Sequence, residues 1–122
     1  MARYIELTSS NGAGVENLAT ADLIYVEEEG SGSKVTYAQS EGGLRNSVIV
    51  DETPATITTN AGNLIVFVTA DGDVRLNADR IKSTFANESS LARVRYNSNG
   101  MGEDVIDSTE NVAAVLAKID AL

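Results

Sequence analysis

The chain has 122 residues, a net charge of −9 and no Cys, His or Trp. Those absences exclude disulfides, thiolate nucleophiles and zinc–sulfur sites, along with the usual neutral-pH acid–base group. Mean hydropathy is −0.08, no apolar run approaches the roughly 18 residues that span a bilayer, and the acidity repels phosphate backbones, so neither a membrane nor a nucleic acid is expected as a partner. MARYIELTSS lacks the basic and apolar regions of a signal peptide, which points to a protein made and used inside a cell.

The first half carries Arg3, Lys34 and Arg45 against nine acids, and the second half six basic groups against nine. Tyr4 to Thr8 alternates as a strand, and Ser9 to Gly14 is a turn cluster. Val15 to Leu18 returns as a short strand. Ala21 to Val26 leads into Glu27-Glu28-Glu29, and Gly30 to Ser33 is a hairpin loop before the strand Lys34 to Ala38. Glu41-Gly42-Gly43 turns the chain into Ser47 to Val50. After Pro54, the Thr-rich stretch from Thr56 to Gly62 reads as a connector, because β-branched residues disfavour a stable helix.

Leu64 to Thr69 is a continuous apolar strand, as for a strand buried on both faces, and Asp71-Gly72 is a hairpin signature. Val74 to Leu76, Ser83 to Ala86 and Leu91 to Tyr96 follow as strands. A loop from Asn97 to Gly102 precedes the closing strand. Val112, Val115, Leu116, Ile119 and Leu122 then form one helical stripe, predicting a helix over 108–121 with Asp107 as cap and Glu110 completing a capping box.

Four stretches recur in order. Tyr4 to Thr8 matches Ile65 to Thr69, and Ala21-Asp22-Leu23-Ile24 matches Ala78-Asp79-Arg80-Ile81. Val35-Thr36-Tyr37 matches Val94-Arg95-Tyr96, and Ile49 to Thr53 matches Val105 to Thr109. The expected fold is therefore β-rich α+β: one pseudo-twofold domain made by tandem duplication of a hairpin-based unit of about 60 residues. The repeats run over 2–59, with its helix reduced or lost, and 63–122.

Asp71, Asp73, Asn77 and Asp79 lack the spacing of an EF-hand, no glycine cluster opens a helix as a phosphate loop does, and the Ser residues have no His beside them. No catalytic, cofactor or metal residue is assigned, and the chain is expected not to be an enzyme. Asp22 with Asp79, and Asp51 with Asp107, read as turn and cap residues at equivalent repeat positions. Arg93 and Arg95 share one strand face near Arg75 and Arg80. They suit phosphate, or an acidic protein surface such as the first repeat. The candidate interface residues are Val112, Leu116, Ile119, Arg93, Arg95, Glu27, Glu28 and Glu29.

The stretch Val66 to Thr69, Asp71-Gly72, Leu76-Asn77-Ala78-Asp79-Arg80-Ile81 and Val112 to Ile119 resembles small flagellar-operon regulatory proteins, over about half the chain. The whole chain is similar, in composition and architecture, to small tandem-repeat β proteins among the virion genes of tailed bacteriophages. The latter resemblance implies a capsid decoration or tail accessory protein, assembled in the host cytoplasm and then resident in the virion. It would self-associate as a homo-oligomer or dock on a capsid or tail protein. The former implies a cytoplasmic regulatory adaptor with a protein partner, as the alternative.

Overall fold

The structure is a computed structural model and describes residues 3–38, 43–99 and 104–122. The turn expected at Glu41-Gly42 and the loop residues Gly100 to Gly102 lie outside the described residues. The first half runs β1 (Tyr4–Thr8), β2 (Val15–Ala19), a 3₁₀ turn (Thr20–Asp22), β3 (Leu23–Glu29), β4 (Gly32–Ala38), β5 (Arg45–Val50) and α1 (Pro54–Ala61). The second half repeats that order as β6 (Leu64–Thr69), β7 (Gly72–Asn77), a 3₁₀ turn (Ala78–Arg80), β8 (Ile81–Ala86), β9 (Ala92–Tyr96), β10 (Asp104–Asp107) and α2 (Val112–Asp120). The fold is β-rich α+β.

Among the described residues three antiparallel sheets form: β1-β2, β5-β4-β3-β7-β6 and β10-β9-β8. The five-stranded sheet is the middle layer, and alternation along its strands shows why. Leu64 and Ile65 are adjacent, so their side chains leave opposite faces of the sheet. Leu64 joins a core with Ile5, Leu7, Leu18, Val26, Val35, Ile57 and Ala61. Ile65 joins a second core with Phe67, Leu76, Val94, Tyr96 and Val115. The β1–β2 hairpin and α1 cover one face, and the β8–β10 sheet and α2 cover the other. This is why Leu64 to Phe67 reads as a continuous apolar run although β6 lies at a sheet edge.

The connector expected over Thr56 to Gly62 is a helix. The Thr53 hydroxyl accepts from the Thr56 N–H at 3.2 Å, Pro54 stands at the first helical position, and Gly62 closes the helix with φ of 79°. Thr58 and Thr59 donate their hydroxyls to the Pro54 and Ala55 carbonyls at 2.7 and 3.1 Å. Burial of Ile57 and Ala61 supplies what propensity does not. The first helix is therefore neither lost nor a bare turn.

The last helix begins at Val112, where the apolar stripe starts, and not at 108 as expected. Ser108 donates its hydroxyl to the Val68 carbonyl at 2.8 Å, and the Thr109 N–H donates there at 2.9 Å. Those bonds hold the chain to β6, so Asn111, not Asp107, caps α2 by accepting from the Ala114 N–H at 2.9 Å. Asp107 stays in β10.

Laid over one another by position in the ladders, two of the expected repeat matches move by one residue, and a third, Ile49 to Thr53 with Val105 to Thr109, moves by two. Ile49 pairs with Lys34 as Asp107 pairs with Arg93, so Asp51 does not fall opposite Asp107 in the comparison. Ile5 pairs with Leu18 and Ile65 with Leu76, each one residue before the end of its second strand. Ile5 thus answers to Ile65, and Leu7 to Phe67, all four buried. Sliding by one would have put the buried set on the other face. Leu23 and Ile81 both follow a 3₁₀ turn, both pair with a tyrosine (Tyr37 and Tyr96), and both precede a bulge. Leu23 therefore answers to Ile81, and Asp22 to Arg80. The match of Tyr37 with Tyr96 needs no shift.

Gly32 shows how tightly β4 meets β5: an added Cβ would lie 2.0 Å from the Val50 carbonyl oxygen. Gly32→Ala should lose about 3 kcal/mol, since the clash is with backbone that cannot step aside, read as a lowered urea midpoint at unchanged slope. Burial, with Asp104 adding, pushes the Tyr96 phenol up from 10.0 to about 12. The folded chain then holds this proton more tightly than the unfolded chain. The contribution is complete below pH 10 and is lost as pH rises toward 12. Thermal midpoints between those pH values should fall less steeply for Tyr96→Phe than for the parent; equal slopes would contradict the assignment.

Candidate nucleic-acid interface

The eight interface residues expected from sequence fall in three separate places. On α2, Val112 and Ile119 pack half-buried against the second core, while Leu116 is 44% exposed. Glu27, Glu28 and Glu29 sit at the β3 end and line an open cleft of about 770 Å³ with Asp71, Asp73 and Arg75. Arg93 and Arg95 lie on the outer face of the β8–β10 sheet. The structure does not bring the three groups together.

Two cations expected near Arg93 and Arg95 serve the framework instead. Arg80 donates its Nε to the Leu23 carbonyl at 2.8 Å and its Nη1 to the Asn97 carbonyl at 3.2 Å and the Asn99 Oδ1 at 3.0 Å. It ties the first 3₁₀ turn to the end of β9. Burial lowers its pKa, opposed by Asp22. Arg75 reaches across to α1, where Nη1 donates to the Thr58 hydroxyl at 3.2 Å. Lys118 on α2 donates to the Val66 carbonyl at 2.7 Å and pairs with Glu110.

The outer face of the third sheet is different. Antiparallel register sets Asp107 opposite Arg93 and Arg93 opposite Phe85, and in the next row Val105 opposite Arg95 and Arg95 opposite Ser83. Side chains of both rows leave the same face because the period along a strand is two. The Arg95 guanidinium stacks over the Phe85 ring, 4.5 Å from its centroid. Arg93 makes a two-toothed contact with Asp107, Nε to Oδ1 at 2.7 Å and Nη2 to Oδ2 at 2.9 Å. Those Arg93 hydrogen bonds hold the Asp107 carboxyl below its ordinary range, against an opposing effect of burial. Arg45 pairs with Asp104 at 3.3 Å at the margin of this sheet, and Lys82 is exposed on β8.

A planar cation stacked on an aromatic ring beside a second arginine can contact phosphate and present a flat surface to a base. Phe85 was not singled out from sequence. Its place beside Arg95 depends on the bulge between Ile81 and Ser83, and a linear reading carries no mark of that bulge. No group of three metal-binding acids stands together among the described residues.

No family model matches the chain, and no curated protein sequence does. Among solved structures it is similar to a Bacillus cereus domain described as the LytTr DNA-binding domain of a response regulator. The TM-score is 0.60 over 100% of both chains, at 11% identity. At that identity the likeness is one of fold.

The likeness corrects the family expectations. The chain shares the fold of a domain described as a LytTr DNA-binding domain, which overturns the resemblance to tailed-phage virion proteins and to flagellar-operon regulators. The virion location, the capsid or tail partner and the decoration role fall with it. So does the exclusion of nucleic acid as a partner, which rested on net charge alone, since a domain of this fold is described as DNA-binding.

Asp107→Asn should leave the thermal midpoint almost unchanged, because an exposed pair contributes little to stability. The Arg93 Nε–H resonance, followed by NMR, should broaden or shift as its partner is lost. A drop in midpoint like that of a core truncation would contradict a surface role for the pair.

Proposed function

We propose that this chain is a non-enzymatic regulatory module that binds DNA on the outer face of the β8–β10 sheet. The observation that carries the reading is the Arg95–Phe85 stack beside Arg93, on an exposed face of a fold shared with a DNA-binding domain. The net charge of −9 sets its terms. Acids elsewhere repel the duplex, so binding is weak and rests on a few phosphate contacts that release counterions.

Fluorescence anisotropy of a short duplex tests it. Dissociation constants near 10–100 μM are expected at about 20 mM salt, with a log–log salt slope of about −2 to −3 for two or three phosphates. Arg93→Ala with Arg95→Ala should abolish the signal and Asp107→Asn should strengthen it. No anisotropy change at low salt, or a change the double variant keeps, sinks the reading.

A second reading is favoured by the acid distribution: a regulatory adaptor that takes a basic protein segment in the cleft of Glu27, Glu28, Glu29, Asp71 and Asp73. A Lys/Arg-rich peptide that binds the parent but not Glu28→Lys with Asp71→Lys would favour it over the DNA reading.

We also read the single domain as a tandem duplication. The order of elements recurs, both halves bulge after the 3₁₀ turn, and both cap a helix with a polar residue, Thr53 and Asn111. Equivalent backbone bonds support it: the Thr20 N–H donates to the Arg3 carbonyl as Ala78 does to Asn63, and Asp51 to Thr8 as Thr109 does to Val68, all at 2.9 Å.

A further inference from the structure

Inside the chain, the three-stranded sheet of the first half receives the hairpin of the second. β7 adds to the edge of β3, pairing Leu76 with Tyr25, Arg75 with Val26 and Val74 with Glu27. The corresponding acceptor edge in the second half, β8, and the corresponding donor edge in the first, β2, have no strand paired on their outer sides among the described residues. One acceptor and one donor are left over, at opposite ends of the repeat.

The geometry points to a head-to-tail contact between copies of this chain, in which β2 of a second copy adds to β8 as β7 adds to β3. This rests on the duplication reading above and not on the DNA reading. The equivalences fix the register: Leu18 opposite Ser83, Asn17 opposite Thr84, and Glu16 opposite Phe85. Both free edges are unpaired backbone, which templates strand addition.

Exposure follows the same pattern. At the internal junction Leu64 is 3% exposed, packed on Ile57 and Ala61 of α1. Its counterpart in the first half is Tyr4, which is 60% exposed. The counterparts of Ile57, Thr58 and Ala61 on α2 are Val115, Leu116 and Ile119. There Ile119 stays half-buried and Leu116 is 44% exposed, although Ala61 is fully buried. The arriving hairpin would set Tyr4 on α2 as Leu64 sits on α1. Val74 and Arg75 are half-buried at the junction, whereas Glu16 and Asn17 are exposed.

Charge also fits. The donor hairpin carries Glu6 and Glu16, and the acceptor strand and its neighbour carry Lys82 and Arg95, while Arg93 is already paired with Asp107 of the same sheet. Glu16 would arrive opposite Phe85, beside the stacked Arg95. Because donor and acceptor surfaces differ, the contact is heterologous and generates rings or filaments, not a twofold dimer.

The absence of native cysteine makes the register testable. Opposed residues in an antiparallel ladder stand about 4.5–5.5 Å apart at Cα, within disulfide reach. Full-length Asn17→Cys and Thr84→Cys chains, mixed under mild oxidation, should cross-link one to the other. Each alone should give only slow background dimer. Val15→Cys in place of Asn17→Cys should cut the yield at least several-fold. Light scattering of the parent should show mass rising with concentration.

A parent that stays monomeric to about 100 μM, where a contact with a dissociation constant of about 10 μM would be mostly formed, with no cross-link above background, overturns the contact. The duplication, read from internal ladders, would still stand. Fast Asn17→Cys homodimers would overturn it differently, by showing a twofold contact, and would count against transferring the internal register at all. Cross-linking with the expected partner and register supports both.

Discussion

Three residue pairs between β3 and β7 hold the two halves of this protein in one sheet. Without Tyr25–Leu76, Val26–Arg75 and Glu27–Val74, the halves would be two small units, each with a hairpin, a three-stranded sheet and a short helix. Units of that size bury too little surface to be comfortably stable alone. Joined, they share a five-stranded middle sheet whose faces carry two separate cores. The side-chain bonds across the junction follow from it: the Asn77 amide donates to the Leu23 carbonyl at 2.8 Å, and the Asn63 amide to the Thr20 carbonyl at 3.0 Å. Both are buried, where a lost partner costs the full desolvation of the remaining group.

The junction also decides which cations are available for function. Arg75 and Arg80 look from sequence like members of a basic group with Arg93 and Arg95. Each instead spans the seam, Arg75 to the α1 Thr58 hydroxyl and Arg80 to the carbonyl of Leu23. A guanidinium with several fixed donors suits such bridging better than an ammonium would. What remains is the outer face of the third sheet, where Arg93 and Arg95 stand clear of the seam. A strongly acidic chain can thus still carry a local cationic face, because charge acts over roughly a Debye length of about 8 Å and not as a molecular total.

The sequence by itself determined the class and the periodic order. Alternation located the strands, the glycine and Asp-Gly turns separated them, and the similarity of Val35-Thr36-Tyr37 to Val94-Arg95-Tyr96 marked corresponding strands. These signals are local, so a linear reading finds them. Capping was harder. Asn111 and Thr53 are as good caps as Asp107, and only the bonds from Ser108 and Thr109 to Val68 show where α2 can begin. The helix at Thr56 was hidden because its stability comes from the burial of Ile57 and Ala61, which outweighs β-branched propensity.

Tertiary structure alone decided the register, the middle sheet and the candidate interface. Two of the repeat matches drawn from residue likeness were one place out and a third two places out against the ladders, and only hydrogen-bonded pairing could show it, since neighbouring apolar residues such as Ile65 and Val66 are chemically alike but point to opposite faces. Phe85 meets Arg95 because of a bulge, and Arg80 leaves the surface because a carbonyl 57 residues away in sequence reaches it. Such contacts depend on the path of the chain in space. The order of residue types specifies that path, but does not display it.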